Sequence, residues 1–133
     1  MKSLFLSFIM LAVFAATALA APPVNSITMF NKYTGLSATA RYSKVYNVTG
    51  YNVKTVQFQG YTSVNTEGSL RGTAGLECST VGSSGPFVAC KDKGSNAATT
   101  TANAVFVLED TVKYVRAVWT RTKNKVSAWL TYK

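Results

Sequence analysis

VKYVRAVWTRT (residues 112–122) and VSAWLTYK (residues 126–133) close the chain, and in both runs apolar and polar residues alternate. A period of two puts successive side chains on opposite faces of a β-strand, so each run predicts a strand with one apolar face. These faces carry Val115, Ala117 and Trp119 in the first strand, and Val126, Ala128, Leu130 and Tyr132 in the second. The compact, basic connection at Lys123 and Asn124 predicts a hairpin, with Trp119 anchoring the core.

Further strands are predicted at short intervals along the chain. Residues 51–60 (YNVKTVQFQG) alternate cleanly, with Val56 and Phe58 on the face opposite to Val53, Thr55, Gln57 and Gln59. Shorter β-branched and aromatic runs cover residues 26–33, 37–48, 68–79, 87–91 and 104–108, and no run reads as a long amphipathic helix. This all-β pattern predicts an antiparallel, jelly-roll-like β-sandwich, with an open barrel as the main competitor.

Residues 1–20 (MKSLFLSFIMLAVFAATALA) have the organisation of a secretory signal peptide. Lys2 precedes an apolar run, and Ala18-Leu19-Ala20 is the small-x-small pattern that signal peptidase cleaves. The run is short for a bilayer span, and no second one follows it. We therefore expect a single β-sandwich domain at residues 21–133, secreted to the periplasm or the extracellular space, with no transmembrane segment in the mature protein.

Two cysteines, Cys78 and Cys90, fall within the expected mature domain. In an oxidising compartment an even number of cysteines predicts a disulfide, which would staple a hairpin or an adjacent pair of strands. The spacing is not that of a C-x-x-C redox pair, and a metal site would lack a third soft ligand. Neither a metal nor another cofactor is therefore predicted.

The chain contains no histidine, which excludes Ser-His-Asp and Cys-His nucleophile systems and histidine-based zinc sites. We predict no catalytic residue and no enzymatic activity. Two carboxylates are sufficient for glycoside hydrolysis, so a small secreted glycoside hydrolase built on Glu67 and Glu77 is kept as an alternative.

Basic residues outnumber acidic ones by 14 to 5, and loss of Lys2 with the signal peptide leaves a net charge of +8. This excess favours anionic partners, with a purely solubilising role as the alternative. Basic residues concentrate near the C-terminus, where the candidate residues for binding an anionic surface are Arg116, Arg121, Lys123, Lys125 and Lys133. Nucleic acid is not a favoured partner, because no nucleic-acid-binding motif accompanies the charge.

Trp129 has the opposite parity to Ala128 and Leu130, which predicts that its side chain faces outward. An exposed tryptophan beside Lys125 and Lys133 can stack on a sugar ring or lie at a subunit interface, with partial cover by loops as the alternative. Trp129 is therefore the candidate stacking residue of a lectin-like module.

Residues 113–122 (KYVRAVWTRT), followed by a short polar turn and an alternating last strand, resemble the end of bacteriophage virion domains. Residues 48–51 (VTGY) and 56–60 (VQFQG) resemble an early strand of those domains, and residues 68–72 (GSLRG) stand where they carry a turn. The resemblance implies a small β-sandwich that acts as an oligomeric module, and it implies no catalytic residue. The signal peptide, the cysteine pair and Leu70-Arg71 depart from the virion pattern and indicate an exported bacterial protein.

These features predict a secreted, non-enzymatic β-sandwich that binds or assembles at the cell envelope or in the extracellular space. The expected partner is an anionic envelope component or a glycan, and the chain is a candidate for homo-oligomer formation. The alternatives are a lectin-like glycan-binding module and the small glycoside hydrolase.

Overall fold

A computed structural model describes residues 25–93 and 96–133, and the expected signal peptide lies outside them. The described residues form β-strands and contain no helix, hence no helix that could span a membrane. The strands are β1 (Asn25–Tyr33), β2 (Arg41–Tyr42), β3 (Tyr46–Asn47), β4 (Lys54–Tyr61), β5 (Glu67–Gly68), β6 (Gly72–Ser79), β7 (Val88–Ala89), β8 (Thr99–Thr100), β9 (Ala104–Val107), β10 (Tyr114–Arg121) and β11 (Lys125–Tyr132).

The strands form two antiparallel sheets. Sheet 1 has the order β1–β11–β4–β5, and β9 also pairs with β4. Sheet 2 has the order β2–β10–β6–β7, with β3 also paired to β10 and β8 also paired to β6. Each sheet thus has two long central strands and short strands along its edges, apart from β1. This arrangement confirms the predicted antiparallel β-sandwich over the open barrel.

The two C-terminal strands do not form the predicted hairpin. β10 pairs with β6 along its whole length, whereas β11 lies in the other sheet between β1 and β4. Residues 122–124 therefore form an arch that carries the chain from sheet 2 to sheet 1. Because each strand has one apolar face, opposite sheets let the two faces pack against each other, whereas a hairpin would leave both in one layer.

The core lies between these two faces. Its fully buried members include the alternating residues predicted for β10, β11 and β4, namely Val115, Ala117, Trp119, Val126, Ala128, Leu130, Val56 and Phe58. The indole Nε1–H of Trp119 donates to the carbonyl oxygen of Thr34 at 3.1 Å. The largest core side chain thus satisfies its one polar atom, as a buried tryptophan must.

The predicted disulfide between Cys78 and Cys90 is confirmed. Cys78 lies on β6 opposite Val88 of β7, and Cys90 directly follows β7, so the bond ties an edge segment of sheet 2 to a central strand. Both cysteines are buried. The disulfide lies near the end of β6 that is remote from the arch, because the arch end of β6 is Gly72 opposite Arg121.

Candidate anion-binding site at the arch

The arch is held against the segment between β5 and β6. The carbonyl oxygen of Arg71 accepts two arch amides, the N–H of Thr122 at 3.1 Å and the N–H of Lys123 at 2.9 Å. The side chain of Asn124, only 8% exposed, donates from Nδ2 to the carbonyl oxygen of Ser69 at 2.8 Å. These bonds satisfy arch groups that would otherwise lack partners, and they fix its backbone.

Left-handed backbone at non-glycine residues is concentrated around the arch. The described non-glycine residues with positive φ are Lys32 (45°), Ala38 (55°), Asn65 (63°) and Arg71 (45°). Besides the two bonds to Arg71, the N–H of Ala38 donates to Arg121 O at 3.1 Å, and the Nζ of Lys125 donates to Asn65 Oδ1 at 3.0 Å. The N–H of Lys32 donates to the hydroxyl of Ser127, two residues into β11 from Lys125, at 2.8 Å. Such backbone is costly for L-residues and tends to cluster at functional sites. Its concentration here makes this end of the sandwich a candidate functional site.

Five cationic residues surround the arch: Lys32, Arg71, Arg121, Lys123 and Lys125. Arg121 donates from Nε to the carbonyl oxygen of Lys123 at 2.9 Å. None of the five belongs to an ion pair, since the two ion pairs among the described residues are Lys93–Asp110 and Arg116–Glu77. Of the carboxylate side chains in the described part of the chain, only Glu67, on the β5 end opposite Tyr61, lies in this region. The arch end therefore carries a net positive charge with little compensation from the protein.

A shallow cleft of about 380 Å³ opens beside the arch. Its lining residues are Thr62, Ser63, Gly68, Ser69, Arg71, Lys123 and Asn124. Two of these carry a positive charge, three carry a hydroxyl group, and none carries a carboxylate. Hydrogen-bond donors thus predominate, which is the composition suited to an anion.

The structure divides the five predicted basic residues among three places. Arg121, Lys123 and Lys125 lie together at the arch. Lys133 lies at the other end of β11, where its N–H donates to Val53 O at 3.0 Å. Because β11 is an extended strand of eight residues, Lys125 and Lys133 are separated by about 25 Å along it.

Arg116 lies in the middle of sheet 2, on its outer surface. Its Nε donates to Glu77 Oε2 at 2.8 Å, and its guanidinium carbon lies 4.1 Å from the centre of the Tyr42 ring and 4.3 Å from that of Phe87. Its charge is therefore already compensated by a carboxylate and two aromatic faces. Glu77 is held in this ion pair, whereas Glu67 belongs to sheet 1, so the structure does not bring the two carboxylates of the hydrolase alternative together in one sheet.

Trp129 is half-buried on the outer face of sheet 1. It lies opposite Thr28 of β1 and Gln57 of β4, and Gln57 lies opposite Val105 of β9. Directly opposite residues share a face, so these four form one row across the sheet without a charged residue.

Lys54 is a buried cation that the sequence reasoning did not assign. It has the inward parity of Val56 and Phe58 on β4, and parity is the signal that could have found it. Its Nζ donates to the carbonyl oxygens of Asp110 at 2.8 Å and Val112 at 2.9 Å, which fixes the loop before β10. Desolvation lowers the pKa of Lys54 from the usual 10.5; Asp110 opposes this shift and Lys93 adds to it.

The sequence reasoning also missed Lys32 and Arg71 as members of the basic region. Both lie far from residues 121–125 in sequence, and only the pairing of β1 with β11 and the bonds of Arg71 to the arch bring them there. No local pattern in the sequence encodes that meeting. Among the described residues, no group of three His, Cys, Asp or Glu side chains is placed to hold a metal ion.

No protein-family model matches this sequence, and no curated protein sequence matches it. Solved structures of the same fold include the SPBc2 prophage-derived protein YomS, with a TM-score of 0.60 and 12% identity over 86% of this chain and 96% of that chain. They also include the PBSX exported protein XepA, with a TM-score of 0.62 and 13% identity over 86% of this chain and 39% of that one. The likeness shows a fold shared with a prophage-derived protein, which confirms the phage-related part of the predicted resemblance at the level of the fold. A role as a virion structural protein stays a prediction.

Proposed function

We propose that this chain is a secreted, non-enzymatic binding module that attaches to an anionic component of the cell envelope through its arch end. The disulfide supports an oxidising compartment outside the cytoplasm. A second support is that one protein of the same fold, XepA, is named an exported protein. The domain expected at residues 21–133 would act as a single binding unit.

The observation that carries the proposal is the uncompensated charge of the arch. Arg121, Lys123 and Lys125 lie within five consecutive residues and form no ion pair with another described residue. Hydrogen bonds to Lys123 O and Asn65 Oδ1 already order Arg121 and Lys125. Less side-chain entropy is then lost when an anionic surface is bound, so more of the electrostatic attraction remains as binding free energy.

The test compares two triple variants with the same loss of charge. The arch variant carries Arg121→Ser, Lys123→Ser and Lys125→Ser, and the control carries Lys44→Ser, Lys113→Ser and Lys133→Ser. Binding is measured on an immobilised sulfated polysaccharide and on vesicles rich in anionic phospholipid, over a series of salt concentrations. Thermal melts establish that both variants are folded.

We expect the arch variant to lose most of its binding and most of the salt dependence of that binding. Salt weakens binding by screening the attraction between charges, and the variant has lost the charges concerned. The control variant should retain both. An equal loss in the two variants would mean that net charge alone attracts the protein, and it would overturn the arch as the binding region.

The lectin-like alternative rests on the uncharged row around Trp129. A half-buried tryptophan between Thr28 and Gln57 offers a ring for stacking and two polar neighbours for sugar hydroxyls. Glycan binding through this row should survive high salt and be lost in Trp129→Ala. A Trp129→Ala protein with unchanged binding on a glycan array would remove this alternative.

Formation of a homo-oligomer would multiply the affinity of the arch for a surface, because linked sites bind at a high effective concentration. Size exclusion with light scattering on the oxidised protein measures the mass directly. A trimer or larger ring would support an assembling module, and a monomer would contradict it.

A further inference from the structure

We propose that the cleft beside the arch is a specific site for one tetrahedral oxyanion, a phosphate or sulfate monoester group borne by the ligand. This inference rests on the proposed function, because it names the chemical group that the arch recognises. The relevant side chains are Arg71, Lys123, Thr62, Ser63 and Ser69, which line the cleft.

The donor inventory of the cleft fits an oxyanion. Arg71 provides a planar fork of N–H groups and Lys123 provides an ammonium group, and neither has a hydrogen-bond or ion-pair partner for its side chain among the described residues. The hydroxyl oxygen of Thr62 accepts the N–H of Thr66 at 3.2 Å, which leaves its O–H free to donate. A phosphate or sulfate group has only acceptors, so it can use all of these donors at once.

The two cationic residues are held together by the backbone. The N–H of Lys123 donates to the carbonyl oxygen of Arg71 at 2.9 Å, so both side chains start from adjacent points of the cleft rim. Two like charges held near each other repel, and an anion between them removes that repulsion. The left-handed backbone of Arg71 aims its carbonyl oxygen at the arch, so this arrangement exists before any ligand arrives.

The size and shape of the cleft fit a group on a larger carrier. About 380 Å³ is at the lower end of the range for ligand pockets, and it exceeds what a bare tetrahedral ion needs. The cleft is also shallow and open to solvent, so the remainder of a sugar or lipid headgroup can extend outward. A sequence of monoesters along a polymer would then bind one group in the cleft and others along Arg121 and Lys125.

The experiment titrates the folded, oxidised protein at constant ionic strength with inorganic phosphate, inorganic sulfate, a sugar phosphate and a sugar sulfate. Amide chemical shifts in ¹H–¹⁵N spectra report the site. We expect saturable shifts confined to residues 62–71 and 122–124. A monoester that binds more tightly than the inorganic ion identifies a carrier-borne group, whereas equal affinities identify a site for the free ion.

Two variants each remove a cleft donor, a third keeps the charge of Arg71 but loses its fork, and a fourth removes a charge remote from the arch. Arg71→Gln and Lys123→Gln should each weaken monoester binding about tenfold or more, the effect of losing a charge-assisted hydrogen bond. Arg71→Lys keeps the charge but loses the fork, so its affinity should be intermediate. Lys113→Gln removes an exposed charge just before β10, at the end of sheet 2 remote from the arch, and should leave the monoester affinity within about twofold.

The outcomes separate this inference from the proposed function. Chemical shift changes that do not saturate, or that are the same in Arg71→Gln, would overturn the assignment of the cleft as an oxyanion site. This holds even if the arch variant still fails to bind the polysaccharide. Saturable monoester binding in the cleft, with polysaccharide binding unaffected by the arch variant, would instead overturn the proposed function. If one cleft variant fails to fold, the other still decides the result.

Discussion

Arg71→Gly should stabilise the folded protein while it removes a cleft donor. Arg71 has a φ of 45°, a conformation that an L-residue adopts at a cost of about 1–2 kcal/mol and that glycine adopts freely. The side chain of Arg71 is exposed, so its removal sacrifices little packing. The bonds that its carbonyl oxygen accepts from Thr122 and Lys123 belong to the backbone and remain in the variant.

The magnitude follows from two opposing contributions. Relief of strain contributes about 1–2 kcal/mol, and the greater freedom of glycine in the unfolded chain takes back about 0.5–1 kcal/mol. The net gain in unfolding free energy is thus about 0.5–1 kcal/mol. For a domain of this size that corresponds to a rise in Tm of roughly 2–4 °C.

Thermal unfolding followed by circular dichroism measures the shift, and urea titration measures the free energy. Lys44→Gly is the matched control, because Lys44 is also exposed and cationic but does not have a positive φ. It should lower Tm, since it adds the freedom of glycine without relieving strain. An Arg71→Gly protein that melts at or below the temperature of Lys44→Gly would refute the claim that Arg71 is strained.

Further predictions concern the core, the disulfide and the buried lysine. A Cβ at Gly72 would overlap the Trp119 ring and lie 2.6 Å from Thr120 O. Gly72→Ala should therefore lower the unfolding free energy measured in urea by about 3 kcal/mol. The control Gly82→Ala should cost none, because a Cβ there meets nothing within 4 Å. Replacing both Cys78 and Cys90 by Ala should lower the unfolding free energy by roughly 3 kcal/mol, since the bond closes a loop with a sequence separation of 12. Because burial lowers the pKa of Lys54, the unfolded chain binds more protons than the folded one between that lowered pKa and 10.5. Wild type should therefore gain stability relative to Lys54→Met as pH rises through this window, and a gap that stays constant in urea titrations would contradict the pKa shift.

Much of the fold could be predicted because parity is a local property of the chain. The alternation in residues 51–60 and 112–133 fixes which side chains face the core, and Val56, Trp119 and Leu130 are buried as predicted. The same rule puts Trp129 on the outer face and makes Lys54 an inward lysine. The cysteine pair was equally readable, because two cysteines allow a single intramolecular bond.

Strand partners could not be predicted in the same way. Parity specifies the face of a strand but not the neighbour on either side, and a short polar connection serves an arch as well as a hairpin. The predicted hairpin was wrong for this reason, since β10 takes β6 as its neighbour and β11 takes β1 and β4. The candidate site was only partly predicted for the same reason, because Arg71 and Lys32 reach the arch through these pairings.

The arch combines features that oppose folding stability, in contrast to Arg116 and Lys54 elsewhere in the fold. Arg116 is compensated by Glu77, and Lys54 is held by two carbonyl oxygens, whereas Arg71 and Lys123 lie side by side without a carboxylate. Local features that oppose stability, when they coincide at one place, are expected at functional sites.

An oxyanion in the cleft should therefore stabilise the folded protein, because a ligand that binds only the folded state raises its stability. At ten times its Kd the monoester should add about 1.4 kcal/mol to the unfolding free energy. Phosphate also stabilises proteins in general, by exclusion from their surface, so wild type alone does not decide the cause. Arg71→Gly has lost the guanidinium fork, so at constant ionic strength its Tm should respond to the monoester far less than that of wild type. An equal rise in both proteins would mean that the anion acts through the solvent and not in the cleft.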